Sequence, residues 1–196
     1  MNAESELDVV RSIELIKGEL ADLLERMVGS TDDSARSMTV AAETLVRARR
    51  VFVHGAGRSG LALRMVAMRL MHLGLIVHVV GDSTTPAIRS GDVLLTASGS
   101  GTTAGVVRIA RAAVTAGADV VAATAVAGSS LTDLAAVTIV IPAAQKLDRS
   151  DAVSAQYAGS LFEQGVVAIG DALFDALQRR SHETTAELWA RHANLE

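Results

Sequence analysis

The sequence predicts a doubly wound α/β fold, a three-layer sandwich around a five-stranded parallel sheet with extra helices at both ends. Three observations predict it. Short apolar runs recur at 51–54, 76–80, 93–97, 120–125 and 137–141. Apolar residues at helical spacing fill most of the gaps between them. The runs are apolar at nearly every position, as in parallel strands buried on both faces.

Each element has its own signal. Leu7, Val10, Ile13, Leu20, Leu23, Leu24 and Met27 recur at helical spacing and predict a helix from Leu7 to Val28, broken by Gly29-Ser30. Thr31 reads as the N-cap of a second helix reaching about Ala48, with Asp32 and Asp33 favoured by the dipole of its first turn. This helical leader covers the core or forms an oligomer arm. Val51 to His54 is the first strand, ended by Gly55-Ala56-Gly57, and a helix from Ser59 to Leu73 stops at Gly74. Strands follow at Ile76–Val80 and Val93–Ala97, then a loop at 98–101 and a helix from Thr103 to Ala116. Val120–Ala125 and Val137–Ile141 complete the sheet, with a short helix at best over Leu131–Ala135 and a stop at Pro142. Residues 143–156 read as a loop, Tyr157–Gln178 as a long helix and Glu183–His192 as a last one.

The chain has 196 residues, which predicts one domain, 1–196: a helical leader (1–48), a sheet core (50–142) and C-terminal helices (157–196). Only 3% of residues are aromatic, so the core must be aliphatic. The net charge is −4, and no basic stripe marks a nucleic-acid partner. There is no cysteine, which excludes thiol chemistry and Cys-ligated metals. Met1–Asp8 lacks the pattern of a secretory signal, and 120–127 is too short to span a bilayer, so a cytoplasmic protein without membrane contact is expected.

Sheets of this class bind ligands beyond the carboxyl ends of their strands, here the loops at 54–59, 81–86, 98–103 and 126–130. The sharpest local signal is Ser98-Gly99-Ser100-Gly101-Thr102-Thr103, which follows a strand and opens a helix. Its glycines allow a tight bend, its four hydroxyls supply donors, and the helix N-terminus adds unpaired N–H groups. Such a cup suits a phosphate monoester, which carries about −1.5 to −2 charge. The plainer reading is a Ser/Gly turn with an N-cap. Gly55-Ala56-Gly57-Arg58-Ser59-Gly60 begins like a dinucleotide fingerprint, but its third glycine comes one residue early. Gly57, Arg58 and Ser59 can supply backbone, a cation and a hydroxyl to a sugar phosphate.

Together, His54–Gly60 and Ser98–Thr103 resemble the sugar isomerase (SIS) domain family. Ala67-Met-Arg-Leu-Met-His-Leu-Gly74, Gly81-Asp-Ser-Thr-Thr-Pro86, Gly159-Ser-Leu-Phe-Glu-Gln164 and Arg191-His-Ala-Asn-Leu195 narrow the resemblance to its 6-phospho-3-hexuloisomerases. The resemblance implies that D-arabino-hex-3-ulose 6-phosphate becomes D-fructose 6-phosphate through an enediolate, in the ribulose monophosphate pathway of formaldehyde fixation. No cofactor and no metal are then needed. Glu163, at the head of a helix among Leu161, Phe162, Val166 and Val167, is the implied base. Its plainer reading is a solvated helix-start glutamate favoured by the dipole.

His72 is the second catalytic candidate. It lies about 13 residues along its helix from Ser59, roughly 20 Å from the helix start. It therefore serves a neighbouring subunit's site, or is a helix-terminal histidine without a chemical role. The family forms dimers or tetramers with sites at subunit interfaces, which implies a homo-oligomer, a dimer of dimers. His54 and His78 read as strand residues, and His182 and His192 are too far apart for a local zinc pair. Trp189 reads as an anchor for the tail, and Arg49-Arg50 as solvated. Two alternatives stay open: another SIS isomerase acting on a pentose or heptose phosphate, and a non-catalytic sugar-phosphate sensor. The sensor is disfavoured because the leader lacks a basic recognition helix.

Overall fold

The five apolar runs pair into one sheet. The computed structural model describes residues 8–29, 32–144 and 153–195. Strands β1 (Val51–Gly55), β2 (Val77–Val79), β3 (Val93–Ala97), β4 (Asp119–Thr124) and β5 (Val137–Val140) lie in the order β2-β1-β3-β4-β5, every pair parallel. Register sets Gly55 opposite Ala97 and Ala97 opposite Ala123, so three central strands finish level. The chain passes from β1 outward to β2, then crosses back to β3 on the other side of β1. The strand order therefore reverses between β1 and β3, which opens a crevice at their carboxyl ends.

Successive side chains point to opposite faces of the sheet and build two cores. Val51, Val53, Leu95, Val121 and Ile139 meet the helices α1 (Val9–Gly29), α2 (Asp32–Arg47), α3 (Gly57–His72) and α5 (Ser160–Ser181). Phe52, Leu94 and Val120 meet α4 (Ala104–Thr115) and Leu131, beside a 3₁₀ turn at Thr132–Leu134. Both faces are covered, as the sequence predicts, but unequally. Leu23 of α1 and Leu45 of α2 are fully buried. At about 1.5–3 kcal/mol for each such side chain, the leader is core cover. The outer face of α1, with Val9, Val10 and Ile13, stays exposed.

Three expectations change. The predicted helix from Tyr157 instead opens with a 3₁₀ turn, Tyr157–Gly159, and the α-helix starts at Ser160. The cause is left-handed backbone at Ala158 (φ 52°) and Gly159 (φ 84°), which cannot propagate a right-handed helix. Trp189 does not anchor the tail in a core: it is 71% exposed on a short helix, α6 (Thr185–Trp189), and its ring stacks on His192 at 4.9 Å. The third change concerns Arg50, whose guanidinium pairs with the buried carboxylate of Asp92 and lies over the Phe52 ring. The Thr31 cap and the loop section 145–152 lie outside the described residues.

Asp92 is 1% exposed and accepts hydrogen bonds from Arg50 Nε (3.0 Å) and from the backbone N–H of Arg89 (2.8 Å). Burial works to raise its pKa, but these bonds and the neighbouring guanidinium charges outweigh it and hold the carboxyl below its usual range. Because the folded value is the lower one, the stabilisation is full above the unfolded pKa and is lost as pH falls through the folded value. We expect Asp92→Asn to destabilise the fold at pH 7 by about 2–3 kcal/mol in urea unfolding. The gap from wild type should narrow as the pH drops below the ordinary aspartate range. A gap independent of pH would show that the ionised carboxylate is not what matters.

Candidate active site

Two glycine bends meet at the crevice between β1 and β3. The first runs from Gly55 into α3. A Cβ on Gly60 would stand 2.4 Å from the carbonyl oxygen of Gly55, so the strand end and the helix's first turn pack backbone to backbone. This contact accounts for a third glycine that comes too early for a dinucleotide fingerprint. The second bend, 98–103, leads from β3 into α4. Gly101 has φ +63°, and its N–H donates to the carbonyl of Ser98 (3.0 Å). The Ser100 hydroxyl accepts from the N–H and hydroxyl of Thr102 (3.3 and 3.1 Å). Ser98 and Thr103 join their hydroxyls at 3.0 Å. Thr103 is the N-cap residue of α4, yet its side chain makes no capping bond to that helix.

A cavity of about 460 Å³ opens over both bends. Its walls include Gly57, Arg58 and Ser59 from the first bend, Ser98, Gly99, Ser100 and Thr103 from the second, and Glu163 from α5. Gly101 and Thr102 belong to the same bend but do not line the cavity. The predicted loops 81–86 and 126–130 do not line it either. Sequence reasoning missed the stretch 157–160, which forms the remaining wall with Phe162. The segment Gly159–Gln164, which carries part of the family resemblance, was the signal for its second half.

The electrostatics follow from the elements. The first turns of α3 and α5 and the bend entering α4 all border this cavity. Three helix N-termini therefore point their positive dipole ends toward it, and Arg58 adds a full charge. Glu163, in the first turn of α5, has a side chain only 16% exposed and pairs with Arg58 Nε. The apolar neighbours predicted for Glu163 are present, but its direct partner is a cation contributed from 105 residues away. The site thus brings a hydroxyl-rich bend, an exposed arginine and a carboxylate into one hollow. A larger open hollow of about 870 Å³ lies along α1, with Asp22, Glu25 and Arg26 on its wall.

His72 is not in this cavity. It ends α3, 7% exposed, with its ring stacked on that of His192 at 5.2 Å. Arg191 donates to the His72 carbonyl (2.9 Å) and pairs with Glu183, which ties the tail to this end of α3. Burial first, then the charges of His192 and Arg69, hold the His72 imidazole below its ordinary pKa. His54 is also lowered, by burial and by Arg108, and His78 lies against the Phe52 ring at 5.2 Å. Among the described residues, no three His, Asp or Glu side chains group as a metal site, and no helix is long and apolar enough to cross a membrane.

Known proteins share this layout. The family model for the SIS domain matches residues 44–159, the segment that carries both bends. The 3-hexulose-6-phosphate isomerase of Mycobacterium gastri is 50% identical over 189 residues, spanning 96% of this chain and 92% of that protein. The enzyme of the same name from Bacillus subtilis is 36% identical over 157 residues, 79% of this chain and 84% of that one. A crystal structure from Methanococcus jannaschii, for which a molecular function of 3-hexulose-6-phosphate isomerase was inferred, superposes with a TM-score of 0.82. It is 26% identical and covers 95% of this chain and 99% of its own. With the family model spanning 44–159 and a relative 50% identical over 96% of this chain, the chain belongs to the SIS domain family.

Proposed function

We propose that this protein is a 3-hexulose-6-phosphate isomerase, interconverting D-arabino-hex-3-ulose 6-phosphate and D-fructose 6-phosphate in the ribulose monophosphate pathway. The observation that carries the reading is one hollow in which a phosphate cup and a partly buried carboxylate face each other. Alignment over 96% and 79% of this chain with relatives bearing that enzyme's name supports the same substrate.

The residues divide the work. The phosphate enters the bend of Ser98, Gly99, Ser100, Gly101, Thr102 and Thr103, held by hydroxyls, N–H groups and the α4 dipole. Gly57, Arg58 and Ser59 close over it from the first bend. Arg58 pairs with Glu163, and a dianion competes for that guanidinium. The carboxylate is released where the substrate's carbon chain lies. Glu163 then takes the proton from C2 of the hex-3-ulose, and the bonding pair forms the C2=C3 enediolate with charge on the C3 oxygen. Returning that proton to C3 while the C2 hydroxyl passes its own proton to the C3 oxygen leaves a carbonyl at C2 and a hydroxyl at C3. Three helix N-termini stabilise the negative intermediate.

The working unit in this reading is a cytoplasmic homotetramer, a dimer of dimers, in which His72 moves protons between substrate oxygens in a neighbour's site. To reach across, His72 must shed the stacked His192 ring. Mixing Glu163→Gln and His72→Ala chains tests this, because hybrid oligomers assemble some sites with both groups intact. Activity should reappear on mixing; two variants that remain dead together would remove His72 from the neighbour's mechanism.

The reading as a whole is tested by giving purified protein hex-3-ulose 6-phosphate and following fructose 6-phosphate. Turnover is expected. Binding without turnover identifies a sensor, and turnover of only a pentose or heptose phosphate identifies another SIS isomerase.

A further inference from the structure

The hydrogen bonds that fix the outer wall of the cavity lead away from it to α1. Glu19, on that helix, accepts from the hydroxyl of Ser154 (2.6 Å), the N–H of Ala155 (2.7 Å) and the side-chain amide of Gln156 (3.0 Å). Gln156 is the residue immediately before the 3₁₀ turn whose left-handed backbone lines the cavity. Its amide also exchanges two hydrogen bonds with Gln164, at 3.2 and 2.8 Å. Gln164 follows Glu163 directly. One carboxylate on α1 is thus joined, through a single glutamine, to both ends of the segment that carries the base.

Packing reinforces the link. A Cβ on Gly165 would stand 2.8 Å from Ile141 and 3.4 Å from Leu23, so α5 and α1 approach closely one turn from Glu19. Arg26 of α1 donates to the carbonyl of Pro142 (3.1 Å), holding the chain after β5 to the same helix. Burial opposes the Glu19 charge, but the bonds from Ser154, Ala155 and Gln156 outweigh it and keep the carboxyl below its ordinary range. The acceptor is therefore ionised at neutral pH, where its hydrogen bonds are strongest.

We infer that Glu19 is a positioning residue for the isomerisation. It clamps residues 154–156 and, through the Gln156–Gln164 amide pair, sets the placement of Glu163 against the substrate. The inference rests on the isomerase reading. It gives the N-terminal helix a role in turnover beyond covering the core. The phosphate bend at 98–103 makes none of these bonds, so phosphate binding does not depend on Glu19.

The test compares wild type, Glu19→Ala, Glu19→Gln and Gln156→Ala, measuring kcat on hex-3-ulose 6-phosphate and competitive inhibition by inorganic phosphate. Small misplacement of a catalytic group costs up to about 100-fold, so Glu19→Ala should lose roughly 30-fold in kcat. Its phosphate inhibition constant should stay within about two-fold, since uniform binding is untouched. Glu19→Gln keeps one acceptor oxygen and should recover part of the loss. Gln156→Ala should fall as Glu19→Ala does, and combining the two should add little, because they share one path. A kcat near wild type in folded Glu19→Ala overturns the inference. So does a phosphate constant that worsens in step with kcat, which marks general loosening. If Glu19→Ala does not fold, Gln156→Ala decides alone by the same two readings. A wild-type chain that leaves the hexulose phosphate unchanged sinks the isomerase reading and this inference with it; an active wild type beside unaffected variants sinks only the inference.

Discussion

Glu163→Gln should abolish most turnover while leaving phosphate binding intact. Glutamine keeps the shape of the side chain and an oxygen that can accept from Arg58, but it cannot take the proton from C2. General-base catalysis contributes typically about 10²–10⁴-fold, so kcat should fall about 10³-fold, some 4 kcal/mol of barrier. The proton is removed only in the transition state, so kcat and kcat/KM should fall together. Inhibition by inorganic phosphate should hold or tighten, because the proposed phosphate bend at 98–103 is untouched and Arg58 loses a competing carboxylate. A variant that retains a tenth of wild-type turnover would take Glu163 out of the base's role.

Gly101→Ala should damage the opposite half of the site. The residue sits at φ +63°, where an L side chain is disfavoured by about 1–2 kcal/mol. Its new Cβ would also fall 2.1 Å from the hydroxyl oxygen of Ser129 and 2.6 Å from its Cβ. Neither contact is tolerable, so the bend must move and its donors lose their aim. A charge-assisted hydrogen bond contributes about 1.5–3 kcal/mol, so misaiming two of them should raise KM and the phosphate inhibition constant about 100-fold. At saturating substrate kcat should fall far less than in Glu163→Gln. Adding Ser129→Gly removes these two obstructing atoms and should restore part of the affinity, leaving the backbone penalty and the tight 3.2 Å approach to Thr124 Oγ1. Failure of this second change to help would mean that the bend's shape does not govern binding. The two variants together separate gripping from proton transfer.

What the sequence revealed and what it hid follow from range. Strands announce themselves locally, because 51–55 and 93–97 are apolar runs closed by glycine or serine. The two bends were legible for the same reason. Glycine density and a following helical pattern are contiguous signals, and the bends meet because the sheet reverses its order between β1 and β3. Pairings across the fold were not legible. Arg50 and Asp92 are 42 residues apart, Arg58 and Glu163 are 105 apart, and Glu19 and Ser154 are 135 apart. No local pattern tells an arginine which carboxylate it will meet. The late start of α5 was hidden differently: Ala158 adopts φ 52°, and alanine ordinarily signals helix rather than its interruption. The cover over His72 was hidden because His192 returns to it only through the folded tail.

Soaking the protein with fructose 6-phosphate and locating the bound sugar addresses the heart of the mechanism most directly. Phosphorus should lie in the bend entering α4, within hydrogen-bond reach of Ser98, Ser100 or Thr103, with Arg58 turned from Glu163 and the freed carboxylate facing C2 and C3. A phosphate seated elsewhere, or a sugar whose second and third carbons face away from Glu163, would contradict it.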